Sequence, residues 1–207
     1  MKILKSNYSK HYSPKDKWMW DSWFIKEDGK WHMFYLQNQN IGEAHERHQT
    51  YPEKCNNPIS VGHAVSDDLV RWEELQTALS PTKFSWDEVA IWTGSVIKKD
   101  DTYYMFYTGR NKEEILVQKI GLAKSKDLVN WEKVEGPVLE ADNIFYHMEN
   151  SRNALDTVPA WRDPFVFKDP KSGKYYMTVS ARVKGDAKEH NACIALAESS
   201  DLHTWKI

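Results

Sequence analysis

Hydrophobic and polar positions along the chain fall into three successive tracts of one shape. The first opens on Trp20-Asp21-Ser22-Trp23-Phe24-Ile25, crosses a polar Asp28-Gly29-Lys30, and continues as Trp31-His32-Met33-Phe34-Tyr35. The second runs Trp92-Thr93-Gly94-Ser95-Val96-Ile97, then Asp100-Asp101, then Tyr103-Tyr104-Met105-Phe106-Tyr107. The third runs Trp161-Arg162-Asp163-Pro164-Phe165-Val166-Phe167, then Ser172-Gly173-Lys174, then Tyr175-Tyr176-Met177-Thr178-Val179. Each predicts an apolar strand, a tight turn and an aromatic strand. Aromatic residues favour strands, and Gly and Asp supply the backbone angles of hairpin turns.

The tracts also end alike. Val61-Gly62-His63-Ala64-Val65-Ser66 leads into Asp68-Leu69-Val70-Arg71-Trp72, and Ile120-Gly121-Leu122-Ala123-Lys124-Ser125 into Asp127-Leu128-Val129-Asn130-Trp131. Ile194-Ala195-Leu196-Ala197-Glu198-Ser199 leads into Asp201-Leu202-His203-Thr204-Trp205. This adds a third strand of small and apolar residues, a Ser/Asp turn, and a short outer strand carrying Trp. Four antiparallel strands per repeat make one blade of an all-β propeller. The opening tryptophans at 20, 92 and 161 set a period of 72 and then 69 residues. The surplus over a compact blade lies in loops, roughly Gln37 to Pro58 and Ala141 to Pro159, and long loops on a rigid scaffold commonly shape a binding site.

The expected organisation is a single, incomplete propeller domain over 1–207, with blades at about 18–80, 90–140 and 160–207. Propellers close with about 4–8 blades, so three blades predict either a longer protein or closure by self-association. The 207 residues are enough for a sizeable core. Charged residues make up 28% and the net charge is −2, which is no footprint for nucleic acid or an anionic membrane. No apolar run reaches the length of a signal peptide or a membrane span, and Cys55 and Cys193 stand far apart with nothing demanding that they pair. The expectation is a cytoplasmic protein. Its 10 Trp, 10 Tyr and 7 Phe suit both a core and a sugar-binding pocket, because flat rings pack on the C–H faces of sugars.

The first strand of each propeller blade faces the central channel. Those strands open with Asp21, with Thr93-Gly94-Ser95 and with Arg162-Asp163, so two carboxylates converge from different blades. One such Asp could be a turn cap. Two at matching positions, beside tryptophan, point to chemistry, because a charge on an inner strand is costly to desolvate. Paired carboxylates in an aromatic-walled pocket suit glycoside cleavage, where one attacks the anomeric carbon or activates water while a carboxylic acid protonates the leaving oxygen.

An ordered set of motifs spanning nearly the whole chain resembles glycoside hydrolase family 32, the invertases and inulinases. Trp18 to Trp23 with Asp28 to Gln37 is similar to its first blade, and Gly62 to Trp72 to the end of that blade. Ala78-Leu79-Ser80-Pro81, Trp92-Thr93-Gly94-Ser95, Tyr107-Thr108-Gly109 and Trp161-Arg162-Asp163-Pro164 follow in family order. The resemblance implies a five-bladed catalytic propeller and a retaining β-fructofuranosidase acting on sucrose, fructo-oligosaccharide or fructan, without cofactor or metal. Asp21 would be the nucleophile and Asp163 the transition-state stabiliser. Trp20, Gln37, Trp92, Thr93 and Arg162 would bind the sugar, with Trp23 as wall or core. The general acid would be a Glu on a fourth blade, beyond Ile207, which leaves this chain alone without its acid.

The residues around the nucleophile depart from the family pattern. Trp20 stands where the family has Asn, and Ser22-Trp23-Phe24 where it has Pro-Asn-Gly; Trp-Asp-Ser-Trp looks like the levansucrase group of the same clan, which also transfers fructose. Alternatives are an inverting arabinofuranosidase or xylosidase propeller and a carbohydrate-binding propeller without turnover. His45-Glu46-Arg47-His48 lacks the spacing of a zinc protease helix and reads as loop. His63, placed on an inner strand, reads as a satisfied core histidine, and His147 and Glu149, in the loop before the third blade, are weaker candidates for reaching the substrate.

Overall fold

Tight turns start the sheets. In a computed structural model, which describes residues 11–39, 59–149, 158–184 and 191–207, β1 (Lys17–Glu27) pairs antiparallel with β2 (Lys30–Gln39). Glu27 faces Lys30, and the two residues between them, Asp28 and Gly29, take φ of 48° and 82°. That left-handed pair matches the twist of the flanking strands. The His45–His48 run, Cys55, most of the Gln37 to Pro58 loop and part of the Ala141 to Pro159 connection lie outside the described residues.

β3 (Ser60–Ser66) and β4 (Glu73–Glu74) complete the first sheet in the order β1-β2-β3-β4. β5 (Ala90–Lys99), β6 (Thr102–Arg110), β7 (Lys119–Ser125) and β8 (Glu132–Lys133) repeat it. The third sheet holds β9 (Trp161–Lys168), β10 (Tyr175–Arg182) and β11 (Ala192–Ser199). Its fourth strand shrinks to one bridge between Glu198 and Lys206, closed by two backbone hydrogen bonds of 2.8 and 3.0 Å. All ladders are antiparallel, and no helix occurs among the described residues. These are three blades of a propeller.

The Ser/Asp turns are built the same way three times. The hydroxyls of Ser66, Ser125 and Ser199 accept the amide N–H groups of Asp68, Asp127 and Asp201. Each Asp carboxylate then accepts two further amides, those of Val70 and Arg71, Val129 and Asn130, and His203 and Thr204. These bonds hold all three carboxyls below the ordinary range. They also stabilise Leu69, Leu128 and Leu202 at φ of 61°, 64° and 72°, a region that branched side chains normally avoid.

Each blade packs one face on the next. Trp23, Phe34 and Leu36 of the first sheet meet Tyr103, Met105 and Tyr107 of the second, while Phe106, Ile120 and Leu122 meet Val166, Met177 and Val179 of the third. The seams share a contact: Phe34 meets Trp131 edge-on at 5.5 Å, and Phe106 meets Trp205 edge-on at 5.4 Å. Truncating either fully buried Phe to Ala removes about 3–5 kcal/mol. The equivalent face of the third blade, with Phe165, Phe167, Ile194 and Leu196, is exposed. His63 lies on β3, not on an inner strand. It is a core residue stacked on Phe34 at 4.5 Å and bonded to His32 at 3.0 Å. It is only half satisfied, since its Nδ1 has no partner among the described residues.

Candidate active site

All three inner strands carry one extra residue at the same place. The β1–β2 register shifts between Met19 and Ser22, around Trp20-Asp21. The β5–β6 register shifts between Trp92 and Gly94, at Thr93. The β9–β10 register shifts opposite Thr178 and Ser180, around Asp163-Pro164. A bulge bends its strand and re-aims the side chain on it. Local sequence explains two of the three. A Cβ on Gly94 would collide with the carbonyl of Phe106, and Pro164 has no N–H to give a ladder. Asp163 itself sits at φ 59°.

The bulges turn Asp21, Thr93 and Asp163 into one cavity of about 280 Å³, lined also by Trp20, Trp92, Arg162, Leu36 and Ile59. Six of the seven residues expected at the site therefore meet. Gln37 does not line this cavity. Leu36 does, so its neighbour on the strand points to the opposite face, where the buried Gln37 amide donates to Thr77 Oγ1 at 3.0 Å and Ser60 Oγ at 3.3 Å. Trp23 belongs to the core.

Leu36 and Ile59 escaped the sequence reading, because apolar residues in strands carry no chemical signal. Arg110 escaped it too. Its guanidinium lies over the Trp92 ring at 4.4 Å and donates to the carbonyl of Ile115, so it backs one cavity wall. The signal for the bulges was present: a Gly and a Pro inside predicted strands mark such irregularities.

The carboxylates occupy different surroundings. Asp21 is exposed to the cavity and accepts a hydrogen bond from the Thr93 hydroxyl, across the seam between the first two blades. Burial pushes the Asp163 carboxyl above the ordinary carboxylate range. The Arg162 charge opposes that rise, the negative charge of Asp21 adds to it, and a bond from Ser180 opposes it. The Arg162–Asp163 pair is loose, with Nε to Oδ2 at 3.5 Å and side chains 32% and 37% exposed, so solvent screens it. One carboxylate is thus solvated and hydrogen-bonded, and the other is a weakened acid held beside a cation.

Two larger grooves lie elsewhere. One of about 600 Å³ runs past Tyr104, Lys124 and Trp131 on the second blade. The other, of about 500 Å³, is lined by Glu140, Asp142, Tyr146, His147 and Glu149. His147 and Glu149 therefore stand together, but not with Asp21 and Asp163.

Fold and site define an all-β propeller domain whose inner strands present two acids and aromatic walls to a shared cavity. Residues 11–207 match the glycosyl hydrolases family 32 N-terminal domain, and the chain belongs to that family. It is 29% identical to sucrose-6-phosphate hydrolase of Zymomonas mobilis, over 94% of this chain and 34% of that protein. It is 25% identical to invertase 2 of Saccharomyces cerevisiae, over 95% of this chain and 33% of that protein. Among solved structures it resembles fructan 1-exohydrolase IIa of Cichorium intybus, with a TM-score of 0.69 and 26% identity, over 95% of this chain and 32% of that one. The chain spans about a third of the length of the curated relatives it matches.

Proposed function

We propose that the protein containing this chain is a retaining glycoside hydrolase that cleaves fructosyl linkages in sucrose, fructo-oligosaccharides or fructan. The observation carrying this reading is that Asp21 and Asp163, from two blades of a family 32 domain, line one cavity with Trp20 and Trp92. Asp21, in reach of solvent and held by Thr93, attacks the anomeric carbon while the bond to the leaving oxygen breaks. A carboxylic acid from outside this chain gives that oxygen its proton. Water then cleaves the fructosyl ester, returning Asp21 as carboxylate and the proton to the second carboxyl. Asp163 and Arg162 hold sugar hydroxyls, and Trp20 and Trp92 pack on the ring. The exposed apolar face of the third blade supports a further blade as the source of the acid, about 5–5.5 Å from the nucleophile.

The test is sugar release by the whole protein from sucrose, inulin and levan. Fructose should appear, and Asp21→Ala should abolish it with the fold intact by circular dichroism. Release of arabinose from arabinosides instead would move the protein to the inverting propeller glycosidases. Fructosylated oligosaccharides as main product would make it a transferase, as its levansucrase-like Trp-Asp-Ser-Trp run allows.

A further inference from the structure

The inner strand of each blade is the edge of its own sheet, so its outward amides find partners outside that sheet's ladders. On β9 two of them are taken up by hydroxyls of the second blade. Ser95 Oγ accepts the Val166 amide at 3.1 Å, and Thr108 Oγ1 accepts the Asp163 amide at 3.0 Å. Thr108 is fully buried on β6, and its hydroxyl has a second bond, donating to the Thr93 carbonyl at 3.1 Å. Thr93 in turn donates from its own hydroxyl to Asp21. One buried hydroxyl thus grips the backbone of two bulges, and three blades are joined in the order Asp21, Thr93, Thr108, Asp163.

We propose that Thr108 is a positioning residue for the reaction: its hydroxyl fixes the Thr93 and Asp163 bulges relative to each other, and so sets the separation and aim of the two acids. This rests on the reading of Asp21 and Asp163 as reacting groups. The hydroxyl is suited to the task because it acts as donor and acceptor at once on a side chain that is itself fully buried. Asp163 at φ 59° is in a region a non-glycine residue enters only when its surroundings hold it there. The Thr108 bond to its amide is such a hold. Misaim of an acid by a fraction of an ångström lowers turnover more than sugar affinity, since binding is spread over several side chains while attack depends on one geometry.

The experiment compares Thr108→Val, which keeps the shape and deletes the hydroxyl, with Thr108→Ser, which keeps the hydroxyl. Both are made in the whole protein. Thr108→Val should lower kcat on sucrose at least about tenfold with KM changed by less than about threefold, and Thr108→Ser should stay within about threefold of wild type in kcat. Amide hydrogen exchange at Asp163 is read in parallel, without substrate. Its protection should fall at least about tenfold in Thr108→Val and persist in Thr108→Ser. Unchanged kcat in an active protein, or equal losses in Val and Ser, overturns the proposal. Wild type inactive on every sugar sinks the assignment of function; if Asp163 exchange is then also the same in wild type and Thr108→Val, the positioning role goes with it.

Discussion

The hydroxyl of Thr93 donates to Oδ2 of Asp21, so the second blade holds the carboxylate of the first. Thr93 is the extra residue of the β5 bulge, and Asp21 is one of the two residues in the β1 bulge. The acid is therefore aimed by two sheets at once, and separating the blades would misplace it before unfolding either.

Thr93→Val deletes that bond and keeps the branched shape. Thr93 is partly exposed, so thermal stability should move by less than about 1 kcal/mol. kcat for fructose release should fall about tenfold or more, since an acid left mobile spends less time in the attacking geometry. Steady-state kinetics beside a melting curve reads both quantities, and a kcat within twofold of wild type at about the same Tm would defeat the role given to Thr93.

Burial raises the Asp163 pKa above its ordinary 3.8. The folded protein then holds this proton more tightly than the unfolded chain, and the stability linked to it is lost as pH rises through the folded value. Asp163→Asn should raise Tm at neutral pH, with the gain fading below about pH 4, while abolishing turnover. Tm of both proteins across that range decides the matter. An equal Tm shift at every pH would mean that the charge is not the cause.

His63 slopes the other way. Burial, with the neighbouring His32 adding to it, pushes its pKa from 6.5 down to about 3. The unfolded chain takes up a proton that the folded ring refuses, so stability is lost as pH falls from about 6.5 toward about 3. Replacing the ring by a neutral side chain in His63→Leu should flatten this acid limb. Urea midpoints at neutral and at mildly acidic pH test it, and an acid limb as steep as that of wild type would exclude His63 as its source.

Asp87 is buried, and its carboxylate takes Lys133 Nζ at 2.5 Å, the Tyr107 hydroxyl at 3.1 Å and the Thr82 amide at 3.3 Å. Asp87→Ala strands a mostly buried ammonium and should remove about 3–5 kcal/mol, as should Lys133→Met through the stranded carboxylate. The double variant should lose clearly less than the sum of the two. Additive losses in a denaturation cycle would show that the two groups act independently.

Much of this could be read along the chain. Turn residues Asp28-Gly29 and Ser172-Gly173, the Ser/Asp closures and the alternation of aromatic positions are local signals, and each produced the hairpin or turn expected. Asp21, Thr93 and Asp163 were legible because each stands within two residues of the Trp that opens its tract. Gln37 was not legible. Side chains alternate along a strand, and only the packed sheets show that Leu36 rather than its neighbour Gln37 faces the cavity. Thr108 stood in the Tyr107-Thr108-Gly109 motif and Arg110 looked like any strand residue, but what each holds shows only in the packed structure: Thr108 takes the Asp163 amide from the next blade, and Arg110 lies over Trp92 of its own.

The blades, their order, the family and the acids at the head of two inner strands are written locally along the chain, because hydrophobic period and turn chemistry act over a few neighbouring residues. Which side chains share a cavity, and how differently the two acids are held, follow from the packing of the sheets. Desolvation of Asp163 and the hydroxyl links from Thr93 to Asp21 and from Thr108 to Asp163 arise where separate sheets meet, and the residues of those links, 55 to 72 positions apart, exert no force on each other until the blades pack.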